Sequence, residues 1–302
     1  MAGTPAVPAG PLVAVDDPAD PRLDDYRVLN DAELRRRRGA DDGIVVVEGR
    51  VAVGQLLTSS YEVRSLLVDD HQVDGAAELV AGVRARGAPV YVGHRRVVAA
   101  TVGFALHRGV VAVARRPPPA DVHALVATAA GRPSVAGGPP MVAVLEGLND
   151  HENLGALFRN AAAFGVGAVL LSPTCADPLY RRSVRVSVGH VLHVPFAWLT
   201  PWPAALDALR PAGFTLVALA PAPSAAAGGH RAVDLGARAV RRAKPGPARS
   251  GVALLVGAEG PGLSPAVLAR ADEVVAIPMA PGVDSLNVAT AAAVAFHRFG
   301  GG

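Results

Sequence analysis

Short valine-rich apolar runs alternating with amphipathic stretches constrain this chain more than any other feature of its sequence. The runs Ile44 to Val47, Arg64 to Val68, Val90 to Val92 and Val110 to Val113 read as buried strands, being short and rich in β-branched residues. Helix-like stretches near 49–57 and 74–86 lie between them. Strands alternating with helices imply an α/β layer architecture. A second alternation follows. Its strands are expected at 141–146, 167–171, 191–195, 214–219, 252–256 and 274–277, and its helices at 154–164, 179–188, 202–210, 264–270 and 286–299. Pro117-Pro118-Pro119 and Gly137-Gly138-Pro139-Pro140 bracket a break in composition, expected to be a linker (117–140) holding a short helix at 120–130. The chain thus divides into a Pro-, Ala- and Asp-rich arm at 1–20, expected to be disordered, a smaller α/β domain at 21–116, the linker, and a larger α/β domain at 141–302.

Composition sets limits on this layout. Two ordinary domains suit 302 residues, and an apolar fraction of 51% is ample for their cores. Cys175 is the only cysteine, which excludes an intramolecular disulfide or a multi-cysteine metal site. The N-terminus has no basic stretch leading into an apolar run, and no apolar segment approaches the length of a membrane span, so a cytoplasmic location without membrane attachment is expected. A net charge of +3 is too mild to establish a nucleic-acid partner. All basic residues except Lys244 are arginine, which suits phosphates and base edges but equally follows from a GC-rich genome. Residues 221–250 carry Arg231, Arg238, Arg241, Arg242, Lys244 and Arg249 against Asp234, and read either as a solvated loop or as an arm that touches phosphates.

Three constellations carry chemistry. Asn149 to Asn160 follows the strand at 141–146 and opens a helix whose apolar stripe is Leu154, Leu157, Phe158, Ala161 and Ala162. Arg159 lies four residues after Gly155 and off that stripe, so its side chain should reach back toward the helix start, where free N–H groups favour anions. The second, Gly257-Ala258-Glu259-Gly260-Pro261-Gly262-Leu263-Ser264, follows the strand Val252 to Val256. Its glycines permit close backbone approach. Leu263-Ser264 stands where a phosphate-binding loop needs Lys followed by Ser or Thr, which counts against that reading. The third runs from Ile277-Pro278-Met279 to Ser285-Leu286-Asn287-Val288, with Ser285 expected to cap a helix beginning at Leu286 and rich in alanine.

In this order, each after a strand, the three motifs resemble those of the SPOUT (SpoU/TrmH-type) RNA ribose methyltransferases, which carry N-x-G-x-x-x-R, G-x-E-x-x-G-L and I-P-M-x-G-x-x-x-S-L-N-V. The matching residues are Asn153, Gly155 and Arg159; Gly257, Glu259, Gly262 and Leu263; and Ile277, Pro278, Met279, Ser285, Leu286, Asn287 and Val288, with one extra residue between Met279 and Gly282. The resemblance covers 141–300. It implies a mostly parallel sheet with a deep trefoil knot, an exception to the rule against threaded loops. It also implies a homodimer, an RNA substrate, S-adenosylmethionine as methyl donor and no metal. The donor contacts it implies are Gly257, Ile277 and Leu286, with Ala220, Gly262 and Met279. Residues 21–116 resemble the family's L30e-like RNA-binding module through Val46-Val47-Glu48-Gly49-Arg50 and Arg108-Gly109-Val110-Val111-Ala112-Val113.

The implied reaction is attack of a ribose 2′-hydroxyl on the donor methyl, with ribosomal RNA placed slightly ahead of transfer RNA. The family analogy casts Arg159 as base. Neutralising an arginine near pH 7 spans at least ~5 pKa units, roughly 7 kcal/mol, so an electrostatic role is expected instead. Asn153, Glu259, Ser285 and Asn287 are expected to shape the site through hydrogen bonds, with Glu259 holding loop backbone or Arg159. Arg50, Arg181, Arg182 and Arg185 are expected at RNA phosphates, with Arg35 to Arg38, Arg95 and Arg96 as further candidates. The alternatives are a non-catalytic RNA-binding relative, an unrelated nucleotide enzyme, and a metal hydrolase built on His190 and His193.

Overall fold

The computed structural model describes residues 9–27, 43–104, 106, 109–221, 231–236 and 251–300. Arg35 to Arg38, Arg108 and most of the basic 221–250 segment lie outside those residues. The chain forms two compact units: residues 1–118 with 179–193, and residues 119–178 with 194–302.

The first unit is built on a mixed five-stranded sheet in the order β1 (Leu12–Val15), β4 (Val90–Gly93), β3 (Val63–Asp69), β5 (Val110–Arg115), β2 (Ile44–Glu48). β4 runs parallel to β1 and β3, and β5 runs antiparallel to β2 and β3. Helices α1 (Arg50–Thr58), α2 (Ala77–Arg84) and α3 (Arg95–Val102) connect the strands. The expectation of a disordered arm at 1–20 is corrected for 9–20, residues 1–8 lying outside the described residues. Leu12–Val15 pairs in register with Val90–Gly93, and Gly10 N–H donates to the Arg84 carbonyl at 2.8 Å. Just beyond it, Leu23 and Tyr26 are fully buried, and the Tyr26 hydroxyl meets Ser65 Oγ at 2.5 Å. A four-residue edge strand is too short to show a period amid Pro and Asp.

The second unit begins earlier than expected. Residues 119–140 belong to it rather than forming a separate linker. Helix α4 (Val122–Ala130) buries Leu125, Val126 and Ala129 in the same core as Val142, Ala168 and Leu216. The chain continues through β6 (Met141–Glu146), α5 (His151–Ala163) and β7 (Ala168–Leu171). It then contributes 179–193, including α6 (Arg181–Val186), to the first unit, although the sequence assigns that stretch to the larger domain. The second unit resumes with β8 (Phe196–Trp198), β9 (Phe214–Leu219), β10 (Val233–Asp234), β11 (Gly251–Gly257), α7 (Pro265–Leu268), β12 (Glu273–Ala276) and α8 (Val288–Phe299). The strand expected at 191–195 is also corrected. His190–Leu192 is a 3-10 turn, entered through Gly189 at φ +83°, and the strand starts at Phe196.

The seven strands order as β10-β12-β9-β11-β6-β7-β8, and every pairing is parallel. Parallel sheets are covered on both faces, which explains why β6, β7 and β11 read as unbroken apolar runs. α5 and α8 pack together, and each buries an apolar stripe: Leu154, Leu157, Phe158 and Ala161 on α5, and Ala292, Ala295, Phe296 and Phe299 on α8. β11, formed late in the sequence, occupies the slot between β6 and β9. The loops that leave β11 and β12 therefore emerge at the carboxyl ends of the central strands, where ligands bind in open α/β sheets.

Candidate functional site

At that edge lies a cavity of ≈ 500 Å³. Its walls come from the ends of β9 and β11, the loop 258–263, and the segment from Ile277 to the first turns of α8. Ala220, Gly257, Gly262, Ile277, Met279 and Leu286 all line it, as do Glu259, Ser285 and Asn287. The second and third motifs, separated by the twelve residues 265–276, thus face one space.

The first wall is tightly built. Gly257 ends β11 opposite Glu146 of β6. A Cβ on Gly257 would overlap the backbone of Gly262 and Leu263, so only glycine allows the loop to fold back on the strand it leaves. Gly262, at φ +67°, donates its N–H to the Ala258 carbonyl at 2.9 Å and closes the loop. Ser264 then caps α7, its Oγ accepting from Val267 N–H at 3.3 Å.

Three side chains join the motifs. Asn287 Nδ2 donates to Asn153 Oδ1 at 2.7 Å and to Glu259 Oε1 at 2.9 Å. Glu259 Oε1 also accepts from Val288 N–H at 3.3 Å. Glu259 therefore holds the start of α8, and no bond from it to Arg159 is present. Asn287, not Ser285, caps the helix: its Oδ1 accepts from Ala289 N–H at 3.1 Å and Thr290 N–H at 3.2 Å, and the helix starts at Val288. The expected Ser285 cap is wrong because an Asn two residues later offers an acceptor at the same turn. Asn160, which carried no assigned role in the sequence, donates Nδ2 to the Ala289 carbonyl at 2.8 Å and ties α5 to the same turn.

Arg159 is exposed on α5 and makes no hydrogen bond or ion pair with a described residue. The carboxylate of Asp150 caps its helix, accepting from Glu152 N–H at 2.9 Å and Asn153 N–H at 2.8 Å. Glu146 carries no role in the reading of the sequence. Its Oε1 accepts from Trp202 Nε1 at 3.0 Å and Ser264 Oγ at 2.8 Å, and its Oε2 accepts from Ser264 N–H at 2.7 Å. The available signal was an acid ending an otherwise apolar strand.

The expected RNA-facing arginines separate into two kinds. Arg181 is mostly buried, pairs with Glu48 at 3.3 Å and stacks over Phe104 at 4.6 Å from the ring centre. Its guanidinium is committed inside the first unit, which removes it as an exposed phosphate contact. Arg50 bonds Gln72 Oε1, while Arg182 and Arg185 are exposed. The His190–His193 pair gives no ligand set: His193 Nε2 sits 3.0 Å from the Gln55 carbonyl. Among the described residues, Asp70, His71 and His94 bring metal-type donor atoms within 4.8 Å, all exposed. His94 Nδ1 accepts from Arg96 N–H at 3.2 Å, so this imidazole acts as the cap of α3. Cys175 is largely buried, which pushes its thiol pKa up, and it donates to the Leu145 carbonyl at 3.3 Å.

Comparison with known proteins defines the class. The sequence profile of the SpoU rRNA Methylase family matches residues 140–297. An uncharacterized tRNA/rRNA methyltransferase of Mycobacterium bovis is 44% identical over 284 residues, covering 94% of this chain and 90% of the relative. The chain belongs to the SpoU rRNA Methylase family. Its fold matches the AdoMet-bound rRNA methyltransferase from Sinorhizobium meliloti, with a TM-score of 0.73, 24% identity and coverage of 95% of this chain and 97% of that one. It also matches the SpoU methyltransferase AviRb from Streptomyces viridochromogenes in complex with AdoMet, with a TM-score of 0.70, 24% identity and coverage of 93% and 98%. No described helix is long and apolar enough to cross a membrane.

Proposed function

We propose that this chain transfers the methyl group of S-adenosylmethionine to a ribose 2′-hydroxyl in structured RNA, with ribosomal RNA ahead of transfer RNA. The observation that carries this reading is the Asn153–Asn287–Glu259 junction, which links all three motifs beside one cavity. The cavity suits the donor. Its volume lies within the ~300–1,000 Å³ range of small-molecule sites. Leu219, Val256, Ile277, Met279 and Leu286 offer apolar surface for the adenine base and the carbon atoms beside the sulfonium, while loop backbone offers polar groups. Ala220, Gly257, Gly262, Ile277, Met279 and Leu286 would hold the donor, which supplies an already activated methyl group.

The chain's own residues then have to position and stabilise. Asn287 fixes the end of one loop to the other, and Asn160 fixes α8 to α5. Arg159 remains a cation, because neutralising it costs roughly 7 kcal/mol near pH 7. Being exposed and without a partner among the described residues, it is available to orient a phosphate and stabilise the charge that builds on the attacking oxygen as its proton passes to solvent water and S-adenosylhomocysteine leaves. Arg50, Arg182 and Arg185 are the remaining candidates for RNA phosphates. The loops 258–263 and 277–287 are inferred to form a trefoil knot, and the first unit to act as an L30e-like RNA module. Val283, Leu286 and Val294 are exposed apolar side chains on the third motif and α8, and support a homodimer through that face. A cytoplasmic location follows from the substrate.

The test is methyl transfer from labelled S-adenosylmethionine to total RNA, followed by nucleoside analysis. A 2′-O-methylated nucleoside is expected. Label on a base would correct the acceptor, and no transfer with donor bound would favour a non-catalytic RNA-binding relative.

A further inference from the structure

The geometry points to Glu146 as a positioning residue that sets the shape of the donor-binding loop from behind. This rests on reading the cavity as the S-adenosylmethionine site. Glu146 ends β6 in register with Gly257 and does not line the cavity. Its carboxylate receives three donors from two distant parts of the chain: Trp202 Nε1, Ser264 Oγ and Ser264 N–H. Ser264 is both the last residue of the second motif and the cap of α7. The loop 258–263 is therefore pinned at both ends. At its start, Gly257 meets the backbone of Gly262 and Leu263. At its end, a carboxylate grips the backbone and side chain of one residue. Charge-assisted bonds to an ionised acceptor are shorter and stronger than neutral ones, and a half-buried carboxylate without its donors is costly.

Glu146→Gln tests this without changing shape. The amide turns one acceptor into a donor that must face Ser264 N–H or the Trp202–Ser264 Oγ pair. In the unliganded variant, amide exchange at Ser264 and Gly262 is expected to accelerate about tenfold or more, and S-adenosylmethionine affinity to fall about tenfold, from the loss of one charged hydrogen bond. The KM for RNA should stay within twofold, a split that general destabilisation would not produce. Trp202→Phe, which removes one donor and keeps the carboxylate, should show the same pattern at smaller size. Unchanged exchange with donor affinity within twofold in both variants would overturn the proposal. If the wild-type chain bound no donor while Glu146→Gln still loosened the loop, the clamp would stand and the reading of the cavity would fall.

Discussion

The two loops that wall the cavity are built differently. The loop 258–263 is closed by its own backbone bond, folded against Gly257 and gripped by Glu146 through Ser264. The segment 280–287 is exposed at every residue, and the backbone bond found within it is Val283 N–H to the Ala280 carbonyl at 3.1 Å. Among the described residues, the side-chain bonds that hold it are those of Asn287, to Asn153, to Glu259 and to the first turn of α8. One wall is thus fixed by its own bonds, and the other has few of them. Low local contact is what elements that respond to a ligand require. Exposed Val283 and Leu286 add that this second wall presents apolar surface to whatever covers it.

The largest expected effect on the transfer step itself lies outside both walls. Arg159→Ala should lower methyl transfer about 10²–10³-fold, the usual loss when one charge-stabilising donor is removed. Donor affinity measured by calorimetry should stay within twofold. Arg159→Lys with near-normal turnover would contradict the role of the guanidinium fork. Next comes the rigid wall. Gly257→Ala forces a Cβ onto the backbone of Gly262 and Leu263 and should abolish measurable donor binding. The overpacking should cost about 1–3 kcal/mol, read as a lower melting temperature. A variant that melted and bound normally would break the contrast between the walls.

Asn287→Ala removes a helix cap and the junction of the motifs together. Loss of the cap alone costs about 1 kcal/mol, and donor affinity should fall about tenfold as two side-chain bonds are lost. Ser285→Ala sharpens the assignment of the cap: stability should change by less than about 0.5 kcal/mol in chemical denaturation, as for other exposed substitutions. The smallest effect belongs to the open wall. Val283→Ser should leave the stability of the monomer within about 0.5 kcal/mol, while sedimentation should show weaker self-association if this face joins two copies.

Much of this contrast was legible in the sequence, for identifiable reasons. The motif glycines and Asn287 are residues whose backbone freedom or side-chain acceptor the geometry requires, so their types and spacing survive in the text of the chain. The α/β layering was legible because short apolar strands such as Val252 to Val256 alternate with helix-length stretches, while the parallel direction of the sheet was implied only by the family resemblance. What stayed hidden depends on pairings distant in sequence. Glu146 has meaning only beside Trp202 and Ser264, and Arg181 only beside Glu48 and Phe104. β1 was hidden because four residues carry no period. Residues 179–193 look like one more strand–helix step, and only packing assigns them to the first unit. Ser285 was mistaken for the cap because Ser and Asn both suit that position, and the choice depends on a boundary that differs by two residues.

The most direct measurement is calorimetric titration of the purified full chain with S-adenosylmethionine, alone and with total RNA. Binding of one donor per chain, lost in Gly257→Ala and weakened in Asn287→Ala, is the predicted result. A folded wild-type chain that bound no donor in either condition would contradict the assignment of the cavity.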